Sequence, residues 1–364
     1  MPRKLQKGSK DKQGLKKKFS AYLLDWDCRQ NRREMPWKGE KDPYRVWLSE
    51  IILQQTRVEQ GQGYYNRFVN KYPDVFSLAK ASDNEVFRLW EGLGYYSRCR
   101  NLLATARFIA TELHGQFPAS YEELLKLQGI GPYTAAAISS FAYDLPHAVV
   151  DGNVYRLISR IFGIRRSVDT TDGKRYFNLL ANHLLDKANP GAYNQAIMDF
   201  GALVCKPKPV CEDCVFQKTC FAFLNRKTSH FPVKEKKKPA RERWFNYLVL
   251  AHRCKIAIRQ RNGKDIWQHL YEFPMIETKQ KPDKAFLLNR YEKNGWLKKA
   301  ETGEVSFSHY QQQLSHQLIH ASFTSIRLRD CPGTKGWNWV RAETLDQYSF
   351  PRFLRNYIDT VLIA

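Results

Sequence analysis

The 364-residue chain has no apolar run approaching the ~18 residues of a membrane-spanning helix. Its first residues, MPRKLQKGSKDKQGLKKK, are basic but have no apolar centre of the kind a secretory signal carries. Membrane and secreted classes are therefore excluded, and the expected setting is cytoplasmic. Acidic residues are scarce, 36 Asp+Glu against 59 Lys+Arg, which leaves a formal net charge of +23. That excess is more than solubility needs. It makes a polyanion the first partner to consider, because each Lys or Arg beside a phosphate releases a condensed counterion. An acidic protein partner is the alternative. No internal repeat and no flavin or nucleotide fingerprint is visible. Cysteine is sparse too, eight in all, yet four of them fall between Cys205 and Cys220.

What the chain does have is material for cores: 43% hydrophobic and 13% aromatic residues, with length for two or three domains of ~100–200 residues. Residues 1–18 carry a net +7 and almost nothing apolar, and read as a disordered basic arm. From Phe19 to Leu224 the pattern is helical. Tyr44, Trp47, Leu48, Ile51, Ile52 and Gln55 recur at i, i+3, i+4, as do Leu102, Leu103, Ala106, Ile109 and Ala110. Residues 225–243, with a net +6 and two prolines, read as an extended basic linker. Beyond it the period changes. FNYLVLAH, KIAIRQ and LIHASFTSIRLRD read as strands, Asn262-Gly263 as a hairpin turn, and FPRFLRNYIDTVLI as a closing helix. The expected fold is thus multidomain, an all-α domain over 19–224 followed by an α+β domain over 244–364.

Cys205, Cys211, Cys214 and Cys220 are too closely spaced to read as four unrelated thiols, and in a reducing compartment they read as metal ligands. Four thiolates enclose either a tetrahedral zinc ion or an iron–sulfur cube. Only one C-x2-C knuckle is present, which favours one 4Fe-4S cluster wrapped by a single loop, with zinc as the alternative. Lys206, Lys208 and Lys218 make the same loop basic.

Three other features carry chemistry. In the stretch from Leu127 to Ile138, Gly129 and Gly131 permit a tight turn with bare amides, and Pro132 suits the first turn of the helix that follows. Such a corner offers N–H groups to a phosphate. Glu50 has Val46 and Leu53 at i−4 and i+3, an apolar flank that should raise its pKa. Asp151 stands at an N-cap position, where the capped amides favour its ionised form. One carboxyl pushed up and one held down is what glycosidic-bond cleavage requires. By themselves these residues also fit an ordinary helix corner, a structural carboxylate and a plain N-cap.

Assembled, the motifs resemble those of the helix-hairpin-helix DNA glycosylases, and more narrowly the adenine DNA glycosylases of the MutY family. The resemblance is carried by Trp47-Leu-Ser-Glu-Ile-Ile-Leu-Gln-Gln-Thr56, Trp90-Glu-Gly-Leu-Gly-Tyr-Tyr-Ser-Arg98, Leu127-Gln-Gly-Ile-Gly-Pro-Tyr133, Val150-Asp-Gly-Asn-Val-Tyr-Arg156 and the cysteine loop. It spans roughly residues 34–220 and continues more weakly to about 355. It implies removal of adenine mispaired with 8-oxoguanine, or with guanine, from duplex DNA, with the target nucleotide flipped out of the stack. It implies Glu50 as the acid at adenine N7. It implies Asp151 as stabiliser of the sugar cation and transient nucleophile, with Tyr133 and Asn153 in support. Gln55 and Tyr95 match wedge positions, and Gly129 and Gly131 the hairpin turn. Trp37, Leu53, Thr56 and Gln195 match positions at the adenine pocket or the opposite base.

A strand-cutting relative would need a lysine just after the Gly-x-Gly turn; Tyr133 stands there, and a phenol forms no Schiff base. The second domain resembles the family's Nudix-like module for 8-oxoguanine. It lacks paired acids for Mg²⁺, and Ser315 and His316 match the reading loop. Three departures stand out: a first cysteine gap of five residues rather than six, Leu314 in place of a phenylalanine, and Lys38 where arginine is common. A monomer associated with the nucleoid is expected.

Overall fold

The computed structural model describes residues 18–235, 239–297, 305–314, 316–329 and 337–362. Two compact units result. One comprises the chain up to Lys80 with Asn101–Lys236, the other Ala81–Arg100 with Lys237–Ala364.

Helices α1 (18–30), α2 (Pro43–Leu53), α3 (Val58–Lys71) and α4 (Val75–Lys80) begin the first unit. The C-terminal part of α6 (Tyr96–Glu112) follows, then α7 (Tyr121–Leu124), α8 (Pro132–Tyr143), α9 (Gly152–Phe162), α10 (Thr171–Leu184), α11 (Pro190–Leu203) and α12 (Phe221–Leu224). Their boundaries follow from capping. The Asp42 carboxylate accepts from the Tyr44 N–H at 2.9 Å with Pro43 in the first turn of α2, and Gly163 (φ +65°) ends α9. The apolar stripe of α9, Leu157, Ile158 and Ile161, packs with Phe19, Phe177 and Phe200 in one core. Phe19 stacks on Phe216 at 5.0 Å, and Trp26 meets Phe200 edge-on at 4.8 Å.

The second unit is a mixed sheet in the order β3-β2-β1-β6-β5, with β4 also on β1 and β7 on β2. Its strands are β1 (Arg241–His252), β2 (Lys255–Gln260), β3 (Tyr271–Glu272), β4 (Met275–Thr278), β5 (Val305–Gln313), β6 (Gln317–Arg327) and β7 (Asn338–Arg341). β1 and β6 run parallel; the other pairs are antiparallel. β1 is covered on both faces, which explains its continuous apolar run. Leu248 and Leu250 pack with Leu287 and Tyr291 of α13 (Lys284–Lys293). Tyr247 stacks on Phe323, which stacks in turn on Tyr357 of α14 (Arg352–Tyr357) at 4.0 Å. Helix α5 (Asp83–Trp90) belongs to this unit: Arg355 pairs with Glu91 at 3.0 Å, and Asn84 donates to the Gln347 carbonyl.

Two expectations change. The stretch 225–243 is not simply an extended linker. Phe231 is buried against Phe221, and Arg241–Arg243 already belong to β1, where Arg243 is anchored by Asp265 and Glu277. Tertiary partners capture what composition assigned to solvent. Asn262-Gly263 does not make the tight hairpin; it lies in the loop 261–270 between β2 and β3. The two-residue turn is Arg253-Cys254, with Arg253 at φ +51°. No helix among the described residues is long and apolar enough to cross a membrane.

Candidate active site

A cleft of about 800 Å³ opens in the first unit, and three chain segments bring its chemistry together. Helix α2 turns the flank Val46, Glu50 and Leu53 toward it. Helix α8 enters with Tyr133, directly after the Gly131 cap and Pro132. The start of α9 contributes Asp151 and Asn153.

Glu50 is buried, and burial pushes its carboxyl up to about 7. The Tyr133 hydroxyl, donating to it, opposes the rise, while the Asp151 charge adds to it. Asp151 caps α9 as the sequence suggests: the Val154 N–H donates to Oδ1 at 2.8 Å, and Asn153 Nδ2 donates to Oδ2 at 2.7 Å. Its expected direction, however, is corrected. Burial is the largest influence and raises its pKa, outweighing the cap bonds, the Asn153 amide and Arg156. The asymmetry between the two acids survives in their ligation: several donors stabilise the Asp151 anion, one phenol that of Glu50.

Asn153 is itself oriented. Arg156 donates through Nη2 to Asn153 Oδ1 and to the Gly201 carbonyl, both at 2.8 Å, so the Asn153 amide nitrogen is turned to Asp151. A Cβ on Gly201 would lie 2.7 Å from Asn153 Cβ, so this close approach needs glycine. Tyr133, half-buried, also has Met198 Sδ 3.7 Å from its hydroxyl.

Trp37, Leu53, Thr56 and Gln195 line the same cleft, with Trp37 edge-on to Tyr65 at 5.3 Å. Gln55 does not line it. It follows α2 at φ +56°, a strained left-handed position for a non-glycine residue. Tyr95, in the second unit, has the same signature at φ +47°, is 44% exposed and lies under the Arg98 guanidinium. Gly129 needs its φ of +79°, and a Cβ there would meet Asn101 at 2.6 Å. Around Gly131 a Cβ would meet nothing within 4 Å, leaving its backbone open to a ligand. The turn joining β5 to β6 carries Leu314, whose N–H donates to the Gln317 carbonyl at 2.8 Å, and His316. Ser315 lies outside the described residues.

Sequence reasoning missed Asp199. It is fully buried on α11, lines the cleft and collects donors from Asn31, Arg33, Lys38 and Gln195. The signal was present: Gln195, Met198 and Asp199, at i, i+3 and i+4, share the face of the helix that lines the cleft.

The four cysteines are free thiols that share the lining of a second, small cavity with Leu157, Ile161 and Phe223. Buried Arg160 reaches in, donating to the Lys206 and Pro207 carbonyls at 2.8 and 2.9 Å, with Cys205 Sγ at 3.5 Å. A buried cation whose described partners are carbonyls and a thiol suits an anionic thiolate group. Burial pushes the Cys214 thiol up to about 12, so ionising these sulfurs needs a cation to compensate. Among the described residues, no three His, Cys, Asp or Glu side chains are gathered closely enough for one metal ion.

Residues 48–181 match the HhH-GPD superfamily base excision DNA repair proteins, and residues 246–360 match the NUDIX domain. An adenine DNA glycosylase of Buchnera aphidicola subsp. Schizaphis graminum is 34% identical over 306 residues, covering 84% of this chain and 88% of the relative. The chain belongs to the adenine DNA glycosylase family. The human adenine DNA glycosylase is 41% identical over 214 residues, 56% of this chain and 39% of the human one. Among solved structures, a thermostable thymine-DNA glycosylase superposes with a TM-score of 0.54 at 28% identity, covering 59% of this chain and 99% of its own. A non-covalent endonuclease III–DNA complex shares the fold, with a TM-score of 0.50 at 21% identity over 58% of this chain and 97% of its own. As a family member the chain is an adenine-directed DNA N-glycosylase with a helical glycosylase domain followed by a Nudix-like one.

Proposed function

We propose that this enzyme flips adenine mispaired with 8-oxoguanine or guanine out of duplex DNA and hydrolyses its N-glycosidic bond without cutting the strand. The observation that carries this reading is the pair of carboxyls in one cleft, Glu50 pushed up to about 7 by burial against the opposing bond from one phenol, and half-buried Asp151 anchored at a helix N-terminus. Near neutrality Glu50 delivers its proton to N7 of the flipped base, making it a neutral leaving group. Asp151 faces the positive charge that develops on the sugar, stabilises it and forms a transient adduct that water resolves. Asn153 holds the Asp151 carboxylate in place. Tyr133, with no amine at that position, supplies no Schiff base and hence no lyase step.

Gln55 and Tyr95, each at a left-handed backbone position, are assigned as wedge residues. Gly129 and Gly131 present amides to a phosphate, and exposed Lys206, Lys208 and Lys218 extend that basic contact. Ser315 and His316 are assigned to the oxidised base. Cys205, Cys211, Cys214 and Cys220 would hold one 4Fe-4S cluster, which when bound staples the basic loop; iron content and a visible charge-transfer band test it, and zinc alone would refute it. The proposed setting is a cytoplasmic, nucleoid-associated monomer.

The decisive assay is base release from an A:8-oxoguanine duplex with Asp151→Asn as control. Adenine release by the wild type alone, with breaks appearing only after alkali, is expected. Normal DNA binding without release overturns the enzyme reading, and a borohydride-trapped adduct with strand cleavage overturns the monofunctional one.

A further inference from the structure

We infer that Asp199, which touches neither reacting carboxyl, sets the cleft's selectivity for a 6-aminopurine by fixing which end of the Gln195 amide faces the base. The inference rests on the assignment of this cleft to adenine.

The geometry is a convergence of donors on one buried carboxylate. Arg33 Nη1 donates to Oδ1 at 2.9 Å. Oδ2 accepts from Asn31 Nδ2 at 2.9 Å, Lys38 Nζ at 3.2 Å and Gln195 Nε2 at 3.0 Å. With four donors on two oxygens, Asp199 acts only as an acceptor, so Gln195 must offer it the amide nitrogen. A reversed amide would set Gln195 Oε1 against a carboxylate oxygen at about 3 Å, a repulsion that the buried setting strengthens. Gln195 also lines the cleft and is only half-buried, so its carbonyl end Oε1 is the end left for a ligand there.

That acceptor discriminates between purines. Adenine carries a donor, the 6-amino group, where guanine and hypoxanthine carry the acceptor O6. A 6-oxopurine would place two acceptors face to face. Arg33 and Lys38, tied to the same carboxylate and also lining the cleft, supply the donors that adenine's ring nitrogens can use. Asp199 is thus a positioning residue: it converts a symmetric-looking amide into a fixed acceptor. Arg156 orients Asn153 by the same logic in the opposite sense, its guanidinium taking the oxygen and leaving the nitrogen for Asp151.

The test compares single-turnover release of adenine and of hypoxanthine placed opposite 8-oxoguanine in otherwise identical duplexes. Asp199→Asn keeps the size but adds a donor, which lets the Gln195 amide reverse. The adenine-to-hypoxanthine rate ratio is expected to fall at least ~10-fold. Combining it with Gln195→Glu, which leaves an acceptor at either end, is expected to restore the ratio, something a merely structural role would not produce. Should Asp199→Asn fail to fold, Gln195→Met removes the acceptor without touching the carboxylate and is expected to lower the ratio similarly. Equal loss on both bases, or an unchanged ratio in both variants, overturns the inference. Absence of adenine release by the wild type overturns the functional reading beneath it instead.

Discussion

Glu50 in the cleft and Glu272 in the sheet are buried to a similar degree but have opposite company. Glu272, 2% exposed, is paired with Arg259 at 3.0 Å and with Arg261, in a network that continues through Asp265 to Arg243 and Glu277. Glu50, 6% exposed, has no comparable cation; a phenol and a neighbouring anion shape its titration. Burial with cations yields a structural joint, whereas burial without them yields an acid that keeps its proton near neutrality. Asp199 shows that the first arrangement can also serve a cleft: its cations make it an orienting group rather than a reacting one.

The comparison can be broken at either end. The largest effect is expected from Glu50→Gln, which should slow adenine release by ~10²–10⁴-fold while leaving duplex binding intact, read by single-turnover kinetics and gel shift. In the wild type the rate should fall as pH rises through about 7, because Glu50 loses the proton it must donate. It should fall again at acid pH as Asp151 is protonated. A flat profile above pH 7 would remove Glu50 from the role of acid.

Next in size is Glu272→Gln, which leaves Arg261 and Arg259 without their buried partner. It should destabilise the protein by about 3–5 kcal/mol, seen as a lower denaturation midpoint. The same substitution in the cleft should act in the other direction. Glu50 has its pKa raised on folding, so its stability contribution is complete below about 4.5 and is lost as pH climbs to about 7. Glu50→Gln should therefore stabilise the protein at pH 8, by up to about 3 kcal/mol, and have little effect at pH 4. A denaturation series at the two pH values checks both sign and window. The smallest effect is expected at the hairpin: Gly129→Ala, forced to φ +79° against Asn101, should cost about 1–2 kcal/mol and weaken binding to undamaged duplex.

How much of the site could be read in advance depended on how local its signal was. Glu50 with its apolar flank, Asp151 at an N-cap and Gly129 in a turn are declared by neighbours within four residues. Asp199 was not, since the residues that define its role, Asn31, Arg33 and Lys38, lie more than 160 positions away. Asn262-Gly263 misled for a related reason: a turn dipeptide marks a bend but not which strands flank it, and the tight hairpin formed at Arg253-Cys254.

The sequence by itself pointed to a polyanionic partner through its +23 charge, set the order of a helical then a mixed α+β region, and singled out the two carboxyls as candidates. Those rest on composition, short-range periodicity and capping, all properties of a few adjacent residues. Only the tertiary structure decided the direction in which Asp151 titrates, because burial is set by what other segments cover it. It also decided where the basic stretch 225–243 stops being a connector, and which end of the Gln195 amide Asp199 holds. Charge is written residue by residue. Desolvation and hydrogen-bond polarity exist only once distant residues have been brought into contact.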